Sequence, residues 1–270
     1  MPFRLNGNDD PPRVDGSHGL ITKRSGPENG LPMPERTWAI ETILFIPGLL
    51  CDETVWGYAI DHLRPRYRCV VADGASHDSI TAMAEHGLAA YEGGLSVVGH
   101  SMGARVAMEM WRLAPQRIDR LALFDTGVHP RKDGEVALRQ KRIDLAYEIG
   151  MPDLAKEWLP PMVHPDRRGD AVLMGALTAM VESKTPEIHE NQIRALLNRP
   201  NARALLEDIS CPTLLGVGRQ DQWSPLSQHQ EMLDVMPNAR LVVIEDAAHF
   251  APIEQPDATL AALVGWLEMT

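Results

Sequence analysis

A serine set between two glycines, Gly99-His100-Ser101-Met102-Gly103, stands between the apolar run at residues 95–98 and a segment of helical period that begins at once. Gly-x-Ser-x-Gly at a strand-to-helix junction is the pattern of a nucleophile held on a sharp, strained turn, with glycines where side chains would collide. A serine hydroxyl is a weak nucleophile at neutral pH. This chemistry therefore demands a general base, and N–H donors for the oxyanion that develops on an attacked carbonyl. The backbone N–H of Met102, next to the nucleophile, is one candidate donor. Other chemistries are poorly served. No two histidines stand at His-x-x-x-His spacing and no glycine-rich loop of phosphate-binding spacing is present, so neither a metal nor an organic cofactor is expected. Cys51, Cys69 and Cys211 are too few and too scattered for a disulfide framework or a zinc cluster and read as free thiols. Cys51 reads as a small buried apolar residue rather than a nucleophile.

A strained turn needs a rigid frame, and the flanking pattern provides one. Nearly continuous apolar runs at 42–46, 69–72, 95–98, 121–124, 213–217 and 241–244 read as strands buried on both faces of a parallel sheet. Segments of helical period at 53–63, 79–91, 102–113, 224–236 and 256–267 lie between and after them. In the third of these, Met102, Val106, Met110 and Leu113 form one apolar stripe. The alternation predicts a doubly wound, mostly parallel α/β sheet. It stops between Thr126 and Ser210, where only helical patterns occur, at 135–149, 153–158, 170–182 and 186–198, and an all-helical cap is expected there. Residues 1–35 are crowded with Gly, Pro, Asn and Asp and read as a poorly ordered arm, with weak strands at 20–23 and 37–40. The expected organisation is an arm at 1–35, a core at 36–127 and 210–270, and a cap at 128–209.

With its elbow in this strand–turn–helix setting, the chain resembles the α/β-hydrolase superfamily from about Thr42 to Leu267. Within it the pattern is similar to carboxylesterases, enol-lactonases and pimeloyl-ester esterases. The resemblance implies a triad in the order Ser, acid, His. Asp221, in Gly216-Val217-Gly218-Arg219-Gln220-Asp221, stands where the family places its acid, and His249, in Glu245-Asp246-Ala247-Ala248-His249-Phe250 before Glu254-Gln255-Pro256, matches the family's histidine loop. It also implies a second oxyanion donor after the first strand, at Ile46-Pro47-Gly48-Leu49-Leu50, and Leu49 is the residue assigned. Pro47 stands where the common family pattern has His, but only the Leu49 N–H is required. Asp125, at the end of the 121–124 run, is the alternative acid, since some relatives use that strand.

The expected pocket wall is drawn from Leu50, Trp56, Trp158, Met180, Trp223 and Phe250, large apolar residues near the assigned machinery or in the cap. His129, His164 and His189 fall in or near the cap and are expected as surface residues, with substrate contact the alternative for each, and His100 as a support for the elbow. The formal net charge of −11 disfavours a broad nucleic-acid or anionic-membrane surface. No apolar stretch approaches the ~20 residues that span a bilayer, and a cytoplasmic protein is expected, as a monomer or homo-oligomer. The function expected is that of a cofactor-independent serine hydrolase acting on a small-molecule ester or lactone. The alternatives are a C–C bond hydrolase acting on a diketone, a lyase or cofactor-free oxygenase using only a His/Asp dyad, and a binding module that kept the three residues.

Overall fold

The six apolar runs form one six-stranded sheet in the computed structural model, which describes residues 41–74 and 76–269. The strands are β1 (Thr42–Ile46), β2 (Arg68–Val71), β3 (Leu95–His100), β4 (Ile118–Phe124), β5 (Thr213–Gly218) and β6 (Ala239–Ile244). Their order is β2-β1-β3-β4-β5-β6 and every pairing is parallel. β3 and β5, inside the sheet, are buried at every residue, which is why their sequences show no polar alternation. The edge strands β2 and β6 are only partly covered. The expected arm and the weak strands at 20–23 and 37–40 lie outside the described residues.

Successive residues of a strand face opposite layers, so each strand feeds two cores. Ile43, Phe45, Val98 and Phe124 pack on one side, with α1 (Gly57–Leu63) among the covering helices. Leu44, Ile46, Val97 and Leu123 pack on the other, under α2 (Ile80–Ala90) and α3 (Met102–Leu113). The stripe Met102, Val106, Met110 seats α3, each residue at most 4% exposed. The helix expected at 53–63 is divided. A single 3-10 turn, Glu53–Val55, is capped by the Asp52 carboxylate accepting from Thr54 N at 3.0 Å, and α1 proper starts at Gly57.

Between β4 and β5 the described chain holds no strand. It runs through α4 (Glu135–Trp158), α5 (Ala171–Glu182) and α6 (Pro186–Leu197). α4 is two helices in one, broken at Gly150 (φ 76°, ψ 168°) just before Pro152, so the two separate helices read from the sequence correspond to its two arms. After β5 come α7 (Leu226–Leu233), then β6, α8 (Ala251–Glu254) and α9 (Pro256–Leu267), the last joining the α1 layer. No helix among the described residues is long and apolar enough to cross a membrane.

Candidate active site

In a parallel sheet the carboxyl ends of all strands lie along one edge, and ligands bind outside that edge. Ser101 follows β3, the Pro47–Leu50 loop follows β1, Asp221 lies just beyond β5, and His249 lies just beyond β6. The strand order thus gathers residues that are far apart in the chain.

Ser101 occupies φ 54°, ψ −112°, a conformation that an L-residue adopts only under constraint. The constraint is visible: Ser101 N donates to Phe124 O of β4 at 2.8 Å, and its carbonyl accepts from Thr126 Oγ1 at 2.9 Å. The two flanking glycines are steric necessities. A Cβ at Gly99 would lie 2.5 Å from Ala104 N, and one at Gly103 would lie 2.0 Å from Ile46 O.

His249 sits between Ser101 and Asp221. Its Nε2 is 2.9 Å from Ser101 Oγ, and its Nδ1 is 2.9 Å from Asp221 Oδ2. A carboxylate can only accept, so Nδ1 carries the proton and Nε2 is free to accept the serine hydroxyl. The other Asp221 oxygen accepts from Trp223 N at 2.8 Å and Ser224 N at 3.0 Å. Burial pushes this carboxyl up, but attraction to His249 and these hydrogen bonds outweigh it and hold Asp221 below its ordinary range.

The β1 loop is a turn closed by Cys51 N donating to Gly48 O at 3.1 Å, with Leu50 at φ 59° in its third position. That position favours Gly or Asn, so a leucine there is strained. Two contacts hold it: Leu50 N donates to Gln192 Oε1 of α6 at 2.7 Å, and Cys51 Sγ donates to Leu49 O at 3.2 Å. The loop and the start of α3 leave the N–H groups of Leu49 and Met102 with no acceptor among the described residues, and both residues line the cavity above Ser101. An oxyanion formed at Ser101 would require two N–H donors, and these two groups lie beside it.

Asp125, the alternative acid, makes no hydrogen bond to His249. Its Oδ1 accepts from Gly218 N at 2.9 Å, and its Oδ2 lies 3.8 Å from His100 Nε2 without a hydrogen bond. Complete burial, then the Asp221 carboxylate, push Asp125 well above the usual carboxyl range. His100 does support the site. Its Nε2 is 2.7 Å from His249 O, and burial lowers its pKa to about 3, leaving the ring neutral.

The cavity above Ser101 has a volume of about 570 Å³. Trp158, Trp223 and Phe250 are among the residues that line it, Trp158 lying edge-on to Phe250. Leu50, Trp56 and Met180 are not. Leu50 and Trp56 are at most 1% exposed and Met180 is 3% exposed, all within one buried apolar cluster. Trp56 points into the sheet layer against Phe45 and Phe124, and Met180 lies on the face of α5 that seats the helix. His189 and His164 are buried rather than on the surface, and His189 joins the cavity wall with Ile193 and Met162. Cys51 is 8% exposed and burial pushes its thiol up, as fits an unreactive side chain.

Two residues outside the expected site, Glu254 and Gln192, hold its loops. Glu254 is fully buried, and its carboxylate accepts from His164 N (2.7 Å), Ala248 N (2.9 Å) and Phe250 N (3.3 Å), gripping the peptides on both sides of His249. Its signal was present in Glu254-Gln255-Pro256, but only as part of a motif. Gln192 offered no signal at all, since a glutamine on an amphipathic helix reads as solvated.

The alpha/beta hydrolase family model matches residues 43–263. The chain is 26% identical over 229 residues to the pimeloyl-[acyl-carrier protein] methyl ester esterase of Nitrosomonas europaea, covering 80% of this chain and 91% of that one. Among solved structures, a thermophilic esterase from Thermogutta terrifontis superposes with a TM-score of 0.77 at 27% identity, covering 84% of this chain and 89% of that one. The enol-lactonase from Burkholderia xenovorans LB400 superposes with a TM-score of 0.77 at 21% identity, covering 86% and 93%, which bears on fold alone. On the strength of a family match over most of its length, the chain belongs to the alpha/beta hydrolase family and is an enzyme of the hydrolase type.

Proposed function

We propose that this enzyme is a serine hydrolase that cleaves a small-molecule carboxylic ester or lactone through an acyl-enzyme on Ser101. The observation that carries the reading is the unbroken chain Ser101 Oγ–His249 Nε2 and His249 Nδ1–Asp221 Oδ2, each link 2.9 Å long. His249 takes the serine proton as Oγ attacks the carbonyl, then returns it to the leaving alcohol. Asp221 holds the imidazole tautomer and stabilises the imidazolium. The N–H groups of Leu49 and Met102 receive the oxyanion, each donor of this kind being worth ~3–4 kcal/mol where removal has been measured. Water, activated by the same histidine, releases the acid. No step calls for a metal or an organic cofactor.

Residues 128–209 act in this reading as a cap over the sheet core, because Trp158, Met162, His189 and Ile193 from that stretch form part of the cavity wall. The names of the relatives, esterases at 26% and 27% identity, support ester hydrolysis over other uses of the fold. The test is a panel of p-nitrophenyl esters, lactones and diketones, with fluorophosphonate labelling of Ser101. Ester or lactone turnover that Ser101→Ala and His249→Ala each abolish is the expected result. Turnover of a diketone alone would move the reaction to C–C bond hydrolysis, and full activity in Ser101→Ala would leave only the His249–Asp221 pair at work.

A further inference from the structure

The cavity wall carries a charge that ester hydrolysis as such does not use. On a chain of net charge −11, the cavity is lined by five cations, Arg105, Lys132, Arg139, Arg142 and Arg199, against two acids, Asp133 and Glu135. Glu135 is already committed. Its carboxylate accepts from Arg199 at 2.8 and 2.9 Å, from Arg139 Nε at 2.7 Å and from Lys132 N at 3.0 Å. The ion pairs of Glu135 are with Arg139 and Arg199, and Arg105 and Arg142 form none among the described residues. Among the described residues the only hydrogen bond of the Arg105 guanidinium is from Nη2 to His129 O at 3.3 Å, and its Nη1 is buried with no partner there. Burial, then the nearby Arg199, lower its pKa to about 9 against the opposing attraction of Glu135.

His189, 1% exposed, adds a second buried polar atom without a partner, Nδ1, in the same wall. Burial, then Arg142 and Arg139, lower its pKa to about 4, so the ring is neutral and can donate a hydrogen bond without repelling an anion's neighbours. The position is also informative. Arg105 lies four residues after Ser101, in the first turn of α3, and both residues line the same cavity.

A guanidinium taken out of water without an anion is costly, and removing the cost requires a partner whose oxygens match its planar fork. We propose that Arg105, with Arg142 and His189, forms a carboxylate subsite, so that the preferred ester or lactone carries an ionised carboxyl group remote from the scissile bond. The identity of the reacting end rests on the assignment of Ser101 above; the anion subsite does not.

The test uses the full-length enzyme and two arms. In the first, kcat/KM is compared for mono-p-nitrophenyl esters of succinate, glutarate and adipate and for neutral p-nitrophenyl acyl esters of matching length. The wild type should favour the carboxylate-bearing member of at least one pair by about ten- to a hundredfold, the range of a charge-assisted hydrogen bond. In Arg105→Met that ratio should fall toward one. Arg105→Lys should hold an intermediate ratio, and Arg142→Gln, half-buried on the helical insertion, gives a second variant should Arg105→Met not fold. Equal loss on both members of a pair would mark Arg105 as merely structural and overturn the proposal, as would a wild type without preference at every length.

In the second arm, Ser101→Ala is titrated calorimetrically with monomethyl adipate and with neutral dimethyl adipate. Tighter binding of the monoester, lost when Arg105→Met is added, supports the subsite even if no ester in the panel is turned over. Equal affinity for the two would overturn the subsite while leaving the assignment of Ser101 to its own test.

Discussion

Gly103→Ala separates what the turn does for catalysis from what it does for folding. The added Cβ would lie 2.0 Å from Ile46 O, 2.6 Å from Pro47 O and 2.7 Å from Ile46 C, all backbone atoms that cannot rotate away. Real Cβ atoms are essentially never found under 3.0 Å from such neighbours, so the first turn of α3 and the end of β1 must part by about 1 Å. That gap opens between the two N–H groups assigned to the oxyanion, Met102 on one side and Leu49, two residues past Pro47, on the other. A 1 Å misplacement costs ~10²-fold in rate. The stability cost is smaller. Overpacking of ~1–3 kcal/mol is offset by up to ~1 kcal/mol from replacing a helical glycine with alanine. The expected result is a ~10²-fold fall in kcat for a p-nitrophenyl ester, with a folded protein and a modestly lowered midpoint in thermal unfolding. Gly265→Ala is the control: a Cβ there meets nothing within 4 Å, so activity should hold and stability should rise by ~0.4–1 kcal/mol. A Gly103→Ala enzyme with wild-type kcat would refute the argument that the β1–α3 contact sets the donor geometry.

Asp221→Asn should cost ~10⁴-fold in kcat by stabilising the wrong His249 tautomer, whereas Asp125→Asn, whose amide oxygen can still accept from Gly218 N, should turn over normally; the reverse order in steady-state assays would transfer the acid's role. Gln192→Leu leaves Leu50 N buried without an acceptor and should lower stability by ~1–3 kcal/mol, with kcat falling more than KM rises; unchanged kcat would show that the strained turn holds itself. Trp158→Ala should alter discrimination between acyl chains differing by one methylene by ~1–3 kcal/mol, while Met180→Ala should only destabilise, by ~2–5 kcal/mol, and matched kcat/KM series with thermal melts decide it. For Glu135, burial is outweighed by Arg199, Lys132 N and Arg139, which bring its pKa from 4.5 to about 2. Its stabilising contribution is therefore complete above about pH 4.5 and lost as pH falls toward 2, so the stability gap between wild type and Glu135→Gln, measured by urea unfolding, should narrow across that window.

Several features of this protein needed only neighbouring residues to be read. The nucleophile turn is legible because its requirements are local: a buried run, two glycines that the backbone geometry demands, and an amphipathic helix whose bounds at Met102–Leu113 match the apolar stripe. Pro256–Leu267 was equally plain, because proline can only open a helix at its first turn. The parallel sheet followed from continuous apolar strands, since burial on both faces erases alternation. The acid, the pocket wall and the supports of the site were not local questions. Asp125 and Asp221 both follow strands at the same edge, and only the tertiary arrangement sets Asp221 against His249 while enclosing Asp125 against Gly218. Trp56, Leu50 and Met180 are apolar and close in sequence to useful places, but the layer each side chain faces depends on how the elements pack. Gln192 reaches Leu50 across 142 residues and Glu254 reaches His164 across 90, contacts that no periodicity encodes. The same holds for Arg105: its type is unexceptional on a helix, and only the folded chain shows Glu135 held by Arg199 and Arg139 while Arg105 Nη1, in the cavity lining, is buried without a hydrogen-bond partner. Local sterics and periodicity determine which segment can carry a nucleophile, whereas charge pairing and burial belong to the folded chain, because they depend on which distant groups are brought within a few ångströms.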